Sequence, residues 1–74
     1  MTTLGERLKI YRKKAGLSQR EAAERISELG VKTTQATLSR YENNEFDTPA
    51  NVIRTMTKIY NVDASLLLFD PSEL

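Results

Sequence analysis

The chain contains no cysteine and no histidine, and only two prolines and three glycines. Without cysteine there are no disulfide staples, and without either residue the common zinc sites are excluded. Nucleophilic and general-base chemistry also loses its most usual side chains, and no glycine-rich phosphate loop is present. An enzyme is therefore the weakest function class, and no cofactor or metal is expected. The carboxylates are scattered along helical stretches, where the default role is pairing with a basic neighbour one turn away, as Glu21 with Arg25. No apolar run approaches the ~18 residues that a membrane-spanning helix requires. The start, MTTLGERLKIYRKK, sets its basic residues after scattered apolar ones, unlike a secretory signal. The expectation is a soluble, unprocessed cytoplasmic protein with no membrane partner, and the lack of cysteine fits a reducing compartment.

What the chain does have is one domain's worth of residues, 74, with room for a modest core. Such a core supplies only a few kcal/mol, so regular helix packing, helped by oligomerisation, must carry the fold. The net charge of +1 conceals an asymmetry. Residues 1–40 hold nine basic and four acidic side chains, net +5, and residues 41–74 hold two basic and six acidic, net −4. One side facing a polyanion would produce that pattern, and so would chance in so short a chain.

No stretch alternates at period two for long enough to make a strand, whereas helical spacing recurs throughout. Leu4, Leu8 and Tyr11 predict a helix over residues 3–14, stopped by Gly16 just behind Arg12, Lys13 and Lys14. Ser18 and Glu21 form a capping-box pattern that opens a second helix through Ala22, Ala23, Ile26 and Leu29, ended by Gly30. Thr34 is a suitable N-cap for a third helix reaching Glu42, with Leu38 and Tyr41 on its apolar side. Gln35, Ala36, Ser39 and Arg40 lie elsewhere on that helix, in a small polar face that no core requires. Residues 43–47 read as a loop with Phe46 tucked inward. Thr48 and Pro49 start a fourth helix, proline being suited to a first helical turn. Ile53, Met56 and Tyr60 form its inner stripe and Asn61 its end. Asp63 caps a short fifth helix carrying Leu66, Leu67, Leu68 and Phe69, and residues 71–74 read as a flexible tail. The fold class expected is an all-α, compact five-helix bundle over residues 1–70.

Two short helices joined by a turn, the second bearing Gln, Ser, Thr and Arg, suit the major groove of B-DNA. Glutamine can pair bidentately with adenine and arginine with guanine, and small residues such as Ala36 and Thr37 allow close approach. Ser18 and Gln19, at the start of the second helix, are placed to hold a phosphate. Singly, each piece has a plainer reading: a solvated face, a helix cap, a core leucine. The order of the elements is what points to nucleic acid.

The run from LSQREAAERIS through TQATLSRYENN resembles the phage-repressor and Cro-like helix-turn-helix domains, the XRE family. The likeness spans nearly the whole chain, from the basic first helix to the closing YNVDASLLL. It implies a lambda-repressor-like bundle in which helices two and three form the helix-turn-helix. It also implies that Gln19 contacts a phosphate and braces the third helix. Thr34, Gln35, Ala36 and Arg40 fall on base-reading positions, with Thr37 and Ser39 at their edge. Asn43 falls on a backbone-holding position. Arg12 and Glu42 fall on a pair that ties the first helix to the end of the third. The chain departs from the family where SELGVKT lengthens the connection by about one helical turn. Gly30 then takes the turn role, Val31 plugs the core, and Lys32 comes to the edge of the third helix, within reach of a phosphate.

The leading expectation is a sequence-specific transcriptional regulator, a repressor, that binds a double-stranded DNA operator as a homodimer reading two half-sites. The dimer surface is expected on the fourth and fifth helices, with Leu66 and Phe69 of the fifth as its candidate apolar residues. The alternative is a protein-interaction module or antitoxin on the same fold, whose main partner is a regulatory or other protein.

Overall fold

The computed structural model describes residues 1–73, and Leu74, the last residue of the expected tail, lies outside them. Five α-helices follow one another: α1 Leu4–Lys14, α2 Gln19–Glu28, α3 Gln35–Glu42, α4 Ala50–Tyr60 and α5 Ala64–Leu68. Pro71–Glu73 add a single 3-10 turn.

Local chemistry sets most boundaries. Thr3 caps α1 reciprocally with Glu6: the Glu6 N–H donates to Thr3 Oγ1 at 3.2 Å, and the Thr3 N–H donates to Glu6 Oε1 at 3.4 Å. Ser18 and Glu21 repeat the device on α2 at 3.1 and 3.0 Å. Two orphan amides are satisfied at each helix start. The expected Glu21–Arg25 ion pair is not formed, because the Glu21 carboxylate is occupied at this cap. The exposed one-turn pair on α2 is instead Arg20–Glu24, at 3.4 Å. Thr34 caps α3 by accepting the Thr37 N–H at 3.1 Å, and Asp63 caps α5 by accepting the Ser65 N–H at 3.0 Å. Asn61 ends α4 in the left-handed region, φ 53°. Pro49 sits one place earlier than expected. It is the N-cap residue of α4 rather than part of the first turn, its carbonyl accepting the Val52 and Ile53 amides.

The five largest fully buried side chains are Leu8, Ile26, Leu38, Met56 and Leu67, one from each helix. Leu17, Ala22, Ala23, Val52, Ile53 and Tyr60 fill the space between them, and Val31 packs against the cluster from the α2–α3 connection. Each helix thus owes its place to one central residue, whose truncation to alanine would cost ~2–5 kcal/mol.

The two ends of the described chain are joined. Arg7, 7% exposed, donates through Nε to the Leu67 carbonyl at 2.9 Å and through Nη2 to the Leu68 carbonyl at 3.2 Å. Its Nη1 reaches the Thr2 carbonyl at 2.6 Å. These bonds satisfy carbonyls that the end of α5 leaves open. Asp70 completes the latch by accepting from the Thr2 amide and, at 2.9 Å, from the Thr2 hydroxyl. Of the nine basic residues in the first 40, Arg7 and Arg12 are therefore interior, and the surface charge is less lopsided than the sequence implies.

Candidate nucleic-acid interface

Helix α3 lies against α1 and α2 through Leu38, with Tyr41 half-buried beside it. That placement leaves Thr34, Gln35, Ala36 and Arg40 exposed and Thr37 and Ser39 half-buried at the margin. Ala36 and Arg40 are one turn apart, as are Gln35 and Ser39, so they form two adjacent rows on one face. The Thr34 hydroxyl also donates to the Thr37 hydroxyl at 3.0 Å, tying the start of the face together.

The far end of α3 is held by a buried polar cluster. Arg12 and Glu42 meet through two hydrogen bonds: Nε to Oε2 at 2.7 Å and Nη2 to Oε1 at 3.1 Å. Their side chains are 7% and 1% exposed. The remaining Arg12 nitrogen donates to the Leu17 carbonyl at 2.8 Å. Gln19 adds a third donor to the carboxylate, its Nε2 lying 3.0 Å from Glu42 Oε1. One pair of atoms thus links α1, the start of α2 and the last residue of α3. Tyr60 lies near this cluster on α4, its buried hydroxyl without a hydrogen-bond partner among the described residues. Burial pushes its hydroxyl well above the usual phenol range, and the nearby Glu42 carboxylate adds to the shift. The phenol therefore stays protonated.

The residues expected to touch phosphates flank this face. Ser18 is exposed and Gln19 half-buried at the start of α2, beside the end of α3. Asn43, the C-cap of α3, is exposed, with Nδ2 3.4 Å from Ser39 Oγ. Lys32 is exposed at the opposite end, two residues before the Thr34 cap. Gln19 has one amide proton and its carbonyl oxygen left for a ligand, since the Glu42 contact uses a single N–H.

One residue that sequence reasoning placed in the core belongs on this side. Phe46 is 48% exposed. Asn44 turns the chain with φ 60°, and the Glu45 and Phe46 amides both fold back on the Arg40 carbonyl, at 2.9 and 3.4 Å. The ring therefore meets Arg40 rather than the core, with the guanidinium carbon 5.2 Å from its centroid. A cation–π contact of this kind limits where the arginine can point. Nothing local in the sequence distinguishes this arrangement from an inward phenylalanine.

Two short helices joined by a connection, with α3 presenting an exposed polar face and α2 bracing it, define a helix-turn-helix module. Residues 3–68 match the helix-turn-helix domain family. The chain belongs to that family. It is also 38% identical over 66 residues to the HTH-type transcriptional regulator ImmR of Bacillus subtilis (strain 168), the match covering 89% of this chain and 48% of that protein. The chain thus spans about half the length of that relative. No solved structure matches. Among the described residues, no helix is long and apolar enough to cross a membrane.

Proposed function

We propose that the domain is a sequence-specific double-stranded DNA-binding transcriptional regulator, a repressor, that places α3 in the major groove of an operator. The observation that carries this reading is the exposed row of Thr34, Gln35, Ala36 and Arg40 on a helix braced by a buried ion pair. A solvated face has no need of such bracing, whereas base recognition depends on hydrogen bonds with narrow angular tolerance. In this reading Gln35 and Arg40 meet base edges, Ala36 allows close approach, and Thr34, Thr37 and Ser39 work at the margin. Ser18, Gln19, Lys32 and Asn43 contact phosphates and fix the register. The similarity to a protein described as an HTH-type transcriptional regulator supports the same reading.

The protein acts as a homodimer on two half-sites about one helical turn, ~34 Å, apart. At the end of α5, Leu68 and Phe69 are 47% and 45% exposed and Leu66 is half-buried, an apolar surface for self-association apart from the exposed Ile10, Leu29 and Phe46 elsewhere. It works in the reducing cytoplasm and without a cofactor. A second reading, a protein-interaction module or antitoxin, draws support from one observation. The only cation among the six base-reading candidates, Arg40, already faces Phe46.

Titration of a fluorescent duplex at several salt concentrations separates the two. Binding to DNA through phosphate contacts gives log Kobs falling linearly with log[salt], by ~0.9 for each phosphate neutralised. Affinity that is weak and insensitive to salt between roughly 50 and 200 mM would oppose the DNA reading.

A further inference from the structure

The buried Arg12–Glu42 pair holds only the last residue of α3, so the position of its first residues depends on the connection, residues 29–34. Gly30 turns the chain at φ 96°. The Val31 N–H then folds back on the Ile26 carbonyl at 3.3 Å, and Lys32 stands in solvent. Thr33 is buried, and a single hydroxyl holds both of its backbone groups. Ser27 Oγ accepts the Thr33 N–H at 3.0 Å and donates to the Thr33 carbonyl at 2.9 Å. A helical serine commonly bonds back to a carbonyl of its own helix. Ser27 reaches six residues forward instead and spends its one proton on the connection. The Thr33 hydroxyl adds a bond to the Val31 carbonyl at 3.0 Å. The next residue, Thr34, is the cap of α3 and the first of the exposed row.

We infer that Ser27 is a positioning residue for base recognition: clamping Thr33 fixes how α3 starts, and hence which of Gln35, Ala36 and Arg40 face a base edge. This rests on the DNA-binding reading above. Without the clamp α3 still folds, because Leu38 and Glu42 anchor its middle and far end. Its first turn loses its fixed orientation. Base contacts, being directional, suffer from that loss, and phosphate contacts, being largely electrostatic, do not.

The test measures affinity for a selected duplex and for an unrelated one of equal length, with the wild type, Ser27→Ala, Ser27→Cys and Ser27→Thr. Melting temperature is recorded for each. Ser27→Ala is expected to lower the ratio of the two affinities about tenfold, as loss of one bidentate base contact would. Its affinity for the unrelated duplex stays within about twofold of the wild type. Ser27→Thr keeps the hydroxyl at an exposed position and restores the ratio. Ser27→Cys, a weaker donor and acceptor, falls between, and it decides the question alone if the alanine variant fails to fold. A ratio unchanged in the alanine and cysteine variants overturns the clamp while leaving DNA recognition standing. Equal losses on both duplexes reduce Ser27 to a structural role and also overturn it. A wild-type protein without any preferred sequence contradicts the DNA reading and the clamp together.

Discussion

Removing one half of the Arg12–Glu42 pair should cost the domain much of its stability. The side chains are 7% and 1% exposed, and two N–H···O bonds of 2.7 and 3.1 Å join them. Glu42→Ala leaves the Arg12 guanidinium buried with the Leu17 carbonyl as its remaining partner. It also leaves the Gln19 amide without its acceptor. Stranding one charge of a buried pair costs about 3–5 kcal/mol. A domain of this length has roughly 4–11 kcal/mol in all, so the variant approaches its unfolding threshold. The melting temperature should fall by at least about 12 °C. Arg12→Met combined with Glu42→Leu removes both charges, keeps most of the volume, and is expected to recover most of the loss. The assay is thermal and urea unfolding, followed by helical circular dichroism, on the wild type, both single variants and the double variant. The double-mutant cycle isolates the pairwise term. A single-variant loss below about 1 kcal/mol, as an exposed pair would give, refutes the reasoning. So does a double variant no better than the worse single one.

Three further outcomes are expected. Gly5→Ala in α1, which normally would stabilise a helix, should destabilise this one by about 1–3 kcal/mol in urea unfolding. A Cβ there would collide with the Glu42 carbonyl oxygen and meet that of Tyr41 at 2.7 Å, and a neutral or stabilising result would contradict that close packing. The Asp70 carboxyl is held below its ordinary value by the Ser72 amide and hydroxyl, with the Thr2 amide adding to the effect. Its folded-state pKa is depressed, so its contribution is present above pH ~4 and is lost as pH falls further toward the folded value. The melting-temperature gap between wild type and Asp70→Asn should therefore close on acidification below that point, and a gap constant with pH would count against the latch. Arg40→Ala should weaken binding to a selected duplex and relax preference at one base pair, whereas Gln19→Ala should weaken binding to all duplexes. Unchanged affinity and preference in Arg40→Ala would show that the recognition face is misplaced.

The helices were legible because their signals are local. Ser18 with Glu21, Thr34, Asp63, Gly30 and Asn61 each act within a few residues, and helical spacing marks the central core residue of the first four helices, whereas the run Leu66–Phe69 leaves the buried Leu67 of α5 unmarked. Arg7 is not legible because its partners are distant in sequence, and Phe46 because the turn before it has no distinctive local signal. Arg7 finds its carbonyls about 60 positions away at Leu67 and Leu68, and Phe46 follows a left-handed turn at Asn44 that places it on Arg40. Residue type alone counts Arg7 with the basic side chains of the first 40 residues and sets Phe46 inward; distant carbonyls reverse the first reading and a left-handed turn at Asn44 reverses the second. The candidate DNA face was partly legible, since α3 carries polar residues where burial is not needed. The Arg12–Glu42 pair came only through the family resemblance, because nothing in the spacing of positions 12 and 42 predicts a contact. The long connection marks a departure from the family pattern, but its closure by Ser27 on Thr33 follows no known capping or turn spacing.

The most direct test of the central claim is selection of bound sequences from a random duplex pool, followed by affinity measurement at several salt concentrations. The account predicts enrichment of an inverted repeat whose half-sites lie about one helical turn, ~34 Å, apart, with affinity that falls steeply as salt rises. No enrichment, with weak binding to every duplex, would contradict it.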